Sequence, residues 1–369
     1  MVLIRVHPRV SAADFSLCTN LPWRDFVTLQ PRNILIIDFG QLGDVVVSLP
    51  ALRALRLRFP DARITVAVGA SASAIVDLSG YADATLVVDR VALRDGPKVN
   101  SIWRIGKLVQ DVRRAKFDFV IDLHSLSETN ILGFLSGAPQ RLYSRRPSRS
   151  LDFLSNFRPS PPVEDTSPLK HAVDRYLDVL IPLGIRNAAR TPQLKTRVED
   201  DNAVEKMLKR EKADRGVPLV GIFPGAGHPS RRWPIDCFSE LADRFVRNDS
   251  VRIVLFAGPE ERDLLKESRG AFPPSTIVFD KLTIPQLASA LARLSVFISN
   301  DTGPMHIAAA VGTSVVILLD QRAPRSFIPF GESHRVVSGK TITQLTVEQA
   351  YIAAREVLAT GRTSSLFAS

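Results

Sequence analysis

The strongest chemical signal in this chain is the string Ser299-Asn300-Asp301-Thr302-Gly303-Pro304-Met305-His306. A short apolar run, Leu294 to Ile298, precedes it, and an Ala-rich segment, Ile307 to Val311, follows. That order predicts a buried strand, a tight polar turn and a helix start. The unpaired N–H groups and positive dipole end of such a helix start make an anion site. Asp301, Thr302 and Gly303 sit where a phosphate would approach, and His306 falls about one turn into the helix. The structural alternatives are Asp301 as a helix N-cap and His306 as a satisfied core histidine. The string is more polar than a bare strand-to-helix turn requires, which favours a charged ligand.

Three further strings carry candidate chemistry. Asp38-Phe39-Gly40-Gln41-Leu42-Gly43-Asp44 follows the run Ile34 to Ile37. Its Gly-x-x-Gly spacing is not the dinucleotide fingerprint. Asp44, at the start of the next helix, is a candidate base for an attacking hydroxyl, with helix capping as the alternative. In Phe223-Pro224-Gly225-Ala226-Gly227-His228-Pro229-Ser230-Arg231-Arg232-Trp233-Pro234, small residues at 225 to 227 permit close backbone approach to a phosphate. Arg231 can add a charge-assisted hydrogen bond. The alternative there is a glycine-rich surface loop with Trp233 as a core anchor. In Ala257-Gly258-Pro259-Glu260-Glu261-Arg262, a carboxylate could hold ribose hydroxyls, or only stabilise a helix start.

These strings all end apolar runs, so the elements that position them are strands. The first half offers Ile34–Asp38, Ile64–Val68, Thr85–Asp89 and Phe119–Leu123. The second offers Leu219–Phe223, Val251–Ala257, Thr276–Phe279, Val296–Ser299 and Val315–Leu319. Helical patterns lie between them: Val45–Arg58, broken or restarted at Pro50, then Ser101–Ala115, His171–Leu180, Asn202–Lys212, Asp236–Arg247, Pro285–Ala292 and Val347–Leu358. Continuous apolar strands alternating with helices predict parallel sheets covered on both faces, an α/β class with two doubly wound, Rossmann-like layers. Ligands of such sheets bind beyond the strands' carboxyl ends. The segment Ser155–Pro168 holds four prolines and reads as an exposed loop. The expected organisation is an extension over 1–30, a first domain over 31–190, a second over 191–345, and a terminal helix and tail over 346–369.

With 369 residues, 45% of them hydrophobic and 23% charged, the chain has room for two ordinary domains. Its two cysteines, Cys18 and Cys237, offer neither a disulfide framework nor metal spacing, which fits a reducing, cytoplasmic setting. No run of about 18 apolar residues predicts a membrane span, and the first 30 residues lack the apolar core of a signal peptide. Lys and Arg total 48 against 38 Asp and Glu, a net charge of +10 that suits an anionic partner. No nucleic-acid signature accompanies it, so no nucleic-acid partner is expected. Arg141, Arg145, Arg146 and Arg149 form a basic cluster that could meet an acidic acceptor or be a solvated charge run.

Taken in order, the strings resemble glycosyltransferase family 9, the ADP-heptose:lipopolysaccharide heptosyltransferases. The matching residues are Gly43-Asp44, Leu49-Pro50-Ala51-Leu52-Arg53, Pro224-Gly225-Ala226 with Arg231-Arg232-Trp233-Pro234, and Asp301-Thr302-Gly303-Pro304-Met305-His306-Ile307-Ala308-Ala309-Ala310. The resemblance spans about Arg32 to Ala359. It implies the GT-B fold, two Rossmann-like domains facing across a cleft, and inverting sugar transfer from a nucleotide donor without a metal or other cofactor. It implies Asp44 as catalytic base. It implies a donor site of Gly43, Gly225, Ala226, Gly227, Arg231, Asp301, Thr302, Gly303 and His306, with Glu260 or Glu261 on the ribose. Arg145 and Arg146 are the candidate acceptor contacts. The implied partners are an ADP-linked sugar and a glycolipid or phosphorylated glycan such as lipopolysaccharide core, met in the cytoplasm with peripheral contact at the inner membrane face. Family members often carry lysine where Arg231 stands and hydroxyl residues where Ala226-Gly227 stand. The rivals are a nucleotide-sugar epimerase on the same fold and a non-catalytic nucleotide-sugar binding protein.

Overall fold

A computed structural model describes residues 3–6, 29–89, 98–213, 216–267 and 270–366. The chain divides into two compact units, Met1–Pro192 and Gln193–Ser369. Most of the 1–30 extension lies outside the described residues, as does Cys18.

The first unit holds β1 (Leu3–Val6), β2 (Asn33–Asp38), β3 (Arg63–Gly69), β4 (Ala84–Val88), β5 (Phe119–Asp122) and β6 (Gln140–Tyr143). They form one sheet in the order β1-β4-β3-β2-β5-β6. All pairings are parallel except β1 on β4, an antiparallel edge made from the expected extension. Ile34, Leu35, Ile36 and Ile37 are all fully buried, as strands covered on both faces must be. The Asp118 carboxylate accepts from the Arg32 and Asn33 N–H groups and so anchors the start of β2.

Helix α1 (Leu42–Arg58) is continuous through Pro50, contrary to the expected break. An interior proline costs about 3 kcal/mol. Val45, Val46, Val47, Leu49, Leu52 and Leu55 are all buried on the two sides of it. At about 1.5–3 kcal/mol each, their burial outweighs the lost hydrogen bond. The rest of the unit's helices are α2 (Ser73–Ser79), α3 (Lys98–Arg114), α4 (Ser127–Leu135) and α5 (Ala172–Asp178). The proline-rich loop is not wholly free: Val163 bridges to Arg145, and the Glu164 N–H donates to the Arg145 carbonyl at 2.7 Å.

The second unit holds β7 (Leu219–Phe223), β8 (Arg252–Phe256), β9 (Ile277–Phe279), β10 (Val296–Asn300), β11 (Val315–Asp320) and β12 (Arg335–Gly339), in the order β12-β11-β10-β7-β8-β9. Every pairing is parallel. This is the doubly wound order, which reverses between β7 and β10. In the first unit the reversal falls between β2 and β5. Helices α6 (Val198–Arg210), α7 (Ile235–Asn248), α8 (Arg262–Glu267), α9 (Ile284–Leu291), α10 (Gly303–Ala310) and α11 (Val347–Leu366) complete the unit. Its core joins α7, α11 and the sheet through Phe238, Phe245, Tyr351 and Trp233.

Phe238 is fully buried and meets Trp233 edge-on, with ring centroids 4.9 Å apart. Phe238→Ala should lower the unfolding free energy by about 3–5 kcal/mol. Denaturant titration followed by circular dichroism measures it. A loss below about 1 kcal/mol would contradict this packing.

Candidate active site

The crevice in each sheet lies where its winding reverses, at the carboxyl ends of the two central strands. In the first unit those ends are Asp38 of β2 and Asp122 of β5, both fully buried. A buried carboxylate must be hydrogen-bonded. Asp38 accepts from the Gly40 N–H at 3.0 Å through Oδ1 and from the Ser48 hydroxyl at 2.6 Å through Oδ2. Asp122 accepts from the N–H groups of His124 and Ser125 and from the Asn130 amide, at 3.1, 2.7 and 2.8 Å. Burial nevertheless pushes its pKa up to about 7 against those donors. These bonds shape two turns. One carries the chain to Asp44, and the other carries His124 to within 4.0 Å of Asp38, Nδ1 to Oδ1.

Asp44 is the third residue of α1 and not its N-cap; the cap is Gln41. Its Oδ2 accepts from the Gln41 N–H at 2.9 Å. Burial raises its pKa first and the charge of Asp38 raises it further, while the Gln41 N–H, His124 and Arg146 oppose them. Gly40 is the residue that permits this approach. A Cβ there would stand 2.5 Å from the Asp44 Cβ and 3.1 Å from Asp38 Oδ1. Tyr176 of α5 completes the group. Burial pushes its phenol up, and the charges of Asp38, Asp44 and Glu164 add to that.

Arg146 belongs to the same electrostatic group. Its Nε lies 3.1 Å from Glu164 Oε2, and it donates to the His124 carbonyl at 3.2 Å. Arg145 Nε lies 3.6 Å from Asp152 Oδ2. The two arginines, paired in the sequence reading, therefore differ: one is tied to the Asp44 cluster and the other to the turn at Asp152.

In the second unit the central strands end at Phe223 and Asn300. Asn300 is fully buried. Its Nδ2 donates to the carbonyls of Pro224 and Gly225 at 2.9 and 3.0 Å, and its Oδ1 accepts from the Trp233 N–H at 3.0 Å. One amide thus closes the loop from 224 to 233 onto the end of β10. The Trp233 indole donates to the Leu345 carbonyl at 2.8 Å and anchors the far end of that loop. Arg232 turns back to the Ala226 carbonyl at 3.2 Å. Arg231 stays largely exposed, 3.8 Å from Asp301.

Thr302, not Asp301, is the N-cap of α10, and Gly303 is its first residue. His306 lies buried in that helix's first turn and a half. The structure also separates Glu260 from Glu261. Glu260 is exposed, whereas Glu261 is buried, accepts from the Gly258 N–H at 3.0 Å, and is pushed up in pKa, first by burial and then by Glu260. Its carboxyl lies against Gly225, where a Cβ would overlap it. So Gly225, Glu261, Asn300, Arg231, Asp301 and the α10 start share one end of this sheet. Gly43, Asp44 and Arg146 share an end of the other.

Several participants escaped the sequence reading: Asp38, Asp122, His124, Tyr176 and Asn300. Asp38 and Asn300 were visible as polar residues closing apolar runs, and a polar side chain there must find buried partners. His124 and Tyr176 had no local signal, since tertiary placement alone brings them to Asp44. Among the described residues, no group of three or more His, Cys, Asp or Glu side chains is arranged to hold a metal ion.

Two doubly wound parallel-sheet units in one chain are the architecture of GT-B glycosyltransferases. Residues 105–352 match the model of glycosyltransferase family 9 (heptosyltransferase). The chain belongs to that family and is a glycosyltransferase. It is 26% identical over 285 residues to Escherichia coli lipopolysaccharide heptosyltransferase 3, covering 75% of this chain and 80% of the relative. It is 25% identical to lipopolysaccharide heptosyltransferase 2 of Salmonella typhimurium, over 82% of this chain and 87% of the relative. Among solved structures, a family 9 glycosyltransferase from Veillonella parvula superposes with a TM-score of 0.80 at 24% identity, covering 91% of this chain and 99% of that one. E. coli ADP-heptose lps heptosyltransferase II gives 0.74 at 19% identity, covering 89% and 99%. These superpositions establish the fold.

Asn300→Asp replaces an amide donor with an oxygen facing two carbonyls. It should destabilise the second unit by about 2–3 kcal/mol, measured by denaturant titration. Wild-type stability would contradict the structural role of Asn300. Asp122 predicts a pH effect of definite sign. Its folded pKa of about 7 exceeds its unfolded value of 3.8, so the native state binds more protons between them. Its contribution to stability is full below about pH 4 and falls as pH rises to about 7, by at most about 1.4 kcal/mol per pH unit. Denaturant midpoints across that window should decline more steeply in the wild type than in Asp122→Asn; equal slopes would exclude the shift.

Proposed function

We propose that the chain transfers heptose from ADP-heptose to a lipopolysaccharide core acceptor, with inversion and without a metal ion. The family match, the lipopolysaccharide heptosyltransferase names of the relatives, and an E. coli heptosyltransferase solved with ADP-2-deoxy-2-fluoro heptose support the substrates. The observation that carries the mechanism is the setting of Asp44. It is half-buried, next to a second carboxylate, and made more basic by both. A base gains from a pKa closer to the working pH.

In this reading the acceptor hydroxyl attacks the anomeric carbon, and its proton passes to Asp44. The bond from that carbon to the diphosphate breaks, and ADP leaves with the electron pair. Arg231 and the N–H groups at Thr302 and Gly303 meet the negative charge as it develops. Glu261 takes the ribose in preference to Glu260, because its position against Gly225 places a carboxylate beside the glycine loop. Gly43, Ala226, Gly227, Asp301 and His306 line the donor, and Arg146 takes an acidic group of the acceptor. Arg145, tied to Asp152, contributes less. The setting is cytoplasmic, with peripheral contact at the inner membrane face.

Asp44→Ala should lower kcat by about 10²–10⁴-fold and leave ADP-heptose affinity within about twofold. In the wild type, kcat/KM should fall as acidity protonates Asp44, with the limb above the ordinary carboxylate value of about 3.9. Measurement of transfer and donor binding in both proteins decides it. Full transfer by the variant would remove Asp44 as base. ADP-heptose converted to another sugar nucleotide without acceptor would indicate an epimerase, and donor binding with no turnover a binding protein.

A second test addresses Gly40. Gly40→Ala should displace Asp44 and lower transfer by about 10²-fold, with ADP affinity unchanged. Unchanged transfer would show that Asp44 tolerates displacement.

A further inference from the structure

The first unit carries an apolar surface that its own core does not use. Helices α3 and α4 pack together, and α4 also contacts the short turn Asp152–Leu154. On these three adjoining elements Trp103, Ile105, Ile131, Phe134, Leu135 and Phe153 are all exposed, Trp103 to 68% and Phe153 to 74%. They are not the core stripe of these elements. Leu108 and Val112 dock α3, and Leu132 docks α4, onto the sheet. The α3 residues from Trp103 to Gly106 are all exposed, so that stretch projects beyond the docked turns. Ile131, Phe134 and Leu135 share one face of α4 by their spacing, with Phe153 on the turn that α4 contacts and Trp103 on the helix that packs beside it; exposed apolar side chains on adjoining elements mark an interaction surface.

Cations are interleaved with the rings. Lys107 sits 5.7 Å from the Trp103 ring centroid, and Arg141 sits 5.4 Å from that of Phe134. Arg104 is exposed on α3, and Arg149 is exposed in the loop before the Asp152 turn, where its carbonyl accepts from the Ser127 N–H at the start of α4. Aromatic rings beside lysine and arginine are the composition of a surface lying in the headgroup layer of an anionic bilayer. The rings enter the boundary with the acyl chains, and each cation gains from the negative surface. A second copy of the chain fits less well, since a two-fold contact brings these same cations against each other.

We infer that this face, formed by α3, α4 and the turn at Phe153, is a docking surface for an anionic lipid bilayer. It goes beyond the transfer reaction by naming the surface that meets the membrane. Its test reads binding and not turnover, so it stands apart from the assignment of Asp44. The full chain is sedimented with vesicles of phosphatidylcholine alone and of equal parts phosphatidylcholine and phosphatidylglycerol. Binding should require the anionic vesicles and weaken as salt rises. The combined variant Trp103→Ala, Phe134→Ala, Phe153→Ala removes only exposed rings, and its partitioning should fall about tenfold or more. Lys107→Glu should weaken binding while every ring of the surface is kept. Failure of the wild type to bind anionic vesicles, or equal binding by the combined variant, overturns the inference. So does a dimer in sedimentation velocity that the combined variant dissolves, which would make a second copy the occupant.

Discussion

A polar side chain at the buried end of a parallel strand must be satisfied by its own surroundings, and the candidate site in each unit grows from that constraint. Burying an unpaired amide or carboxylate costs several kcal/mol. At the end of β2, Asp38 meets the cost by drawing in the Gly40 N–H and the Ser48 hydroxyl, which fixes the turn and the first two turns of α1 together. At the end of β10, Asn300 does the same with two carbonyls and an N–H of the 224–233 loop. The loop conformations are therefore determined from beneath. The candidate ligand-binding groups are carried on backbone already held by buried hydrogen bonds, which is how a loop attains the positional precision that chemistry requires.

The same constraint explains what could be read from the residues alone. Central strands were legible because sheets covered on both faces demand unbroken apolar runs, as at Ile34–Ile37 and Val315–Leu319. The edge strand Ile277–Phe279 was also expected, but two other edge strands were not. Gln140–Tyr143 begins with two polar residues, and every residue of Arg335–Gly339 remains part-exposed. Each has one neighbouring strand and less need of an apolar pattern. Pro50 misled because its local penalty is definite, whereas the burial that overrides it depends on the sheet beneath.

Of the site, the contiguous strings were legible and the convergent residues were not. The helix start at Thr302-Gly303 and the Gly225 loop announce themselves by glycine, proline and hydroxyl residues in short order. His124, just beyond β5, and Tyr176 of α5 act on Asp44 from 80 and 132 positions along the chain. Glu260 and Glu261 are adjacent and chemically alike, and only the fold distinguishes them, burying one against Gly225 and exposing its neighbour.

The division of labour between the two carboxylates beside Gly40 follows from their partners. Asp38 is closed off from a substrate. It is fully buried, and each oxygen already accepts a hydrogen bond. Its negative charge still acts on Asp44, raising that group's affinity for a proton. Asp44 is the reverse case: half-buried, at a helix start whose dipole and N–H groups favour its ionised form, yet pushed towards protonation by burial and by Asp38. A general base needs both tendencies, since it must be ionised before the reaction and hold a proton after it. One buried carboxylate that never leaves its hydrogen bonds, set beside one that can, meets that requirement with two residues of the same type.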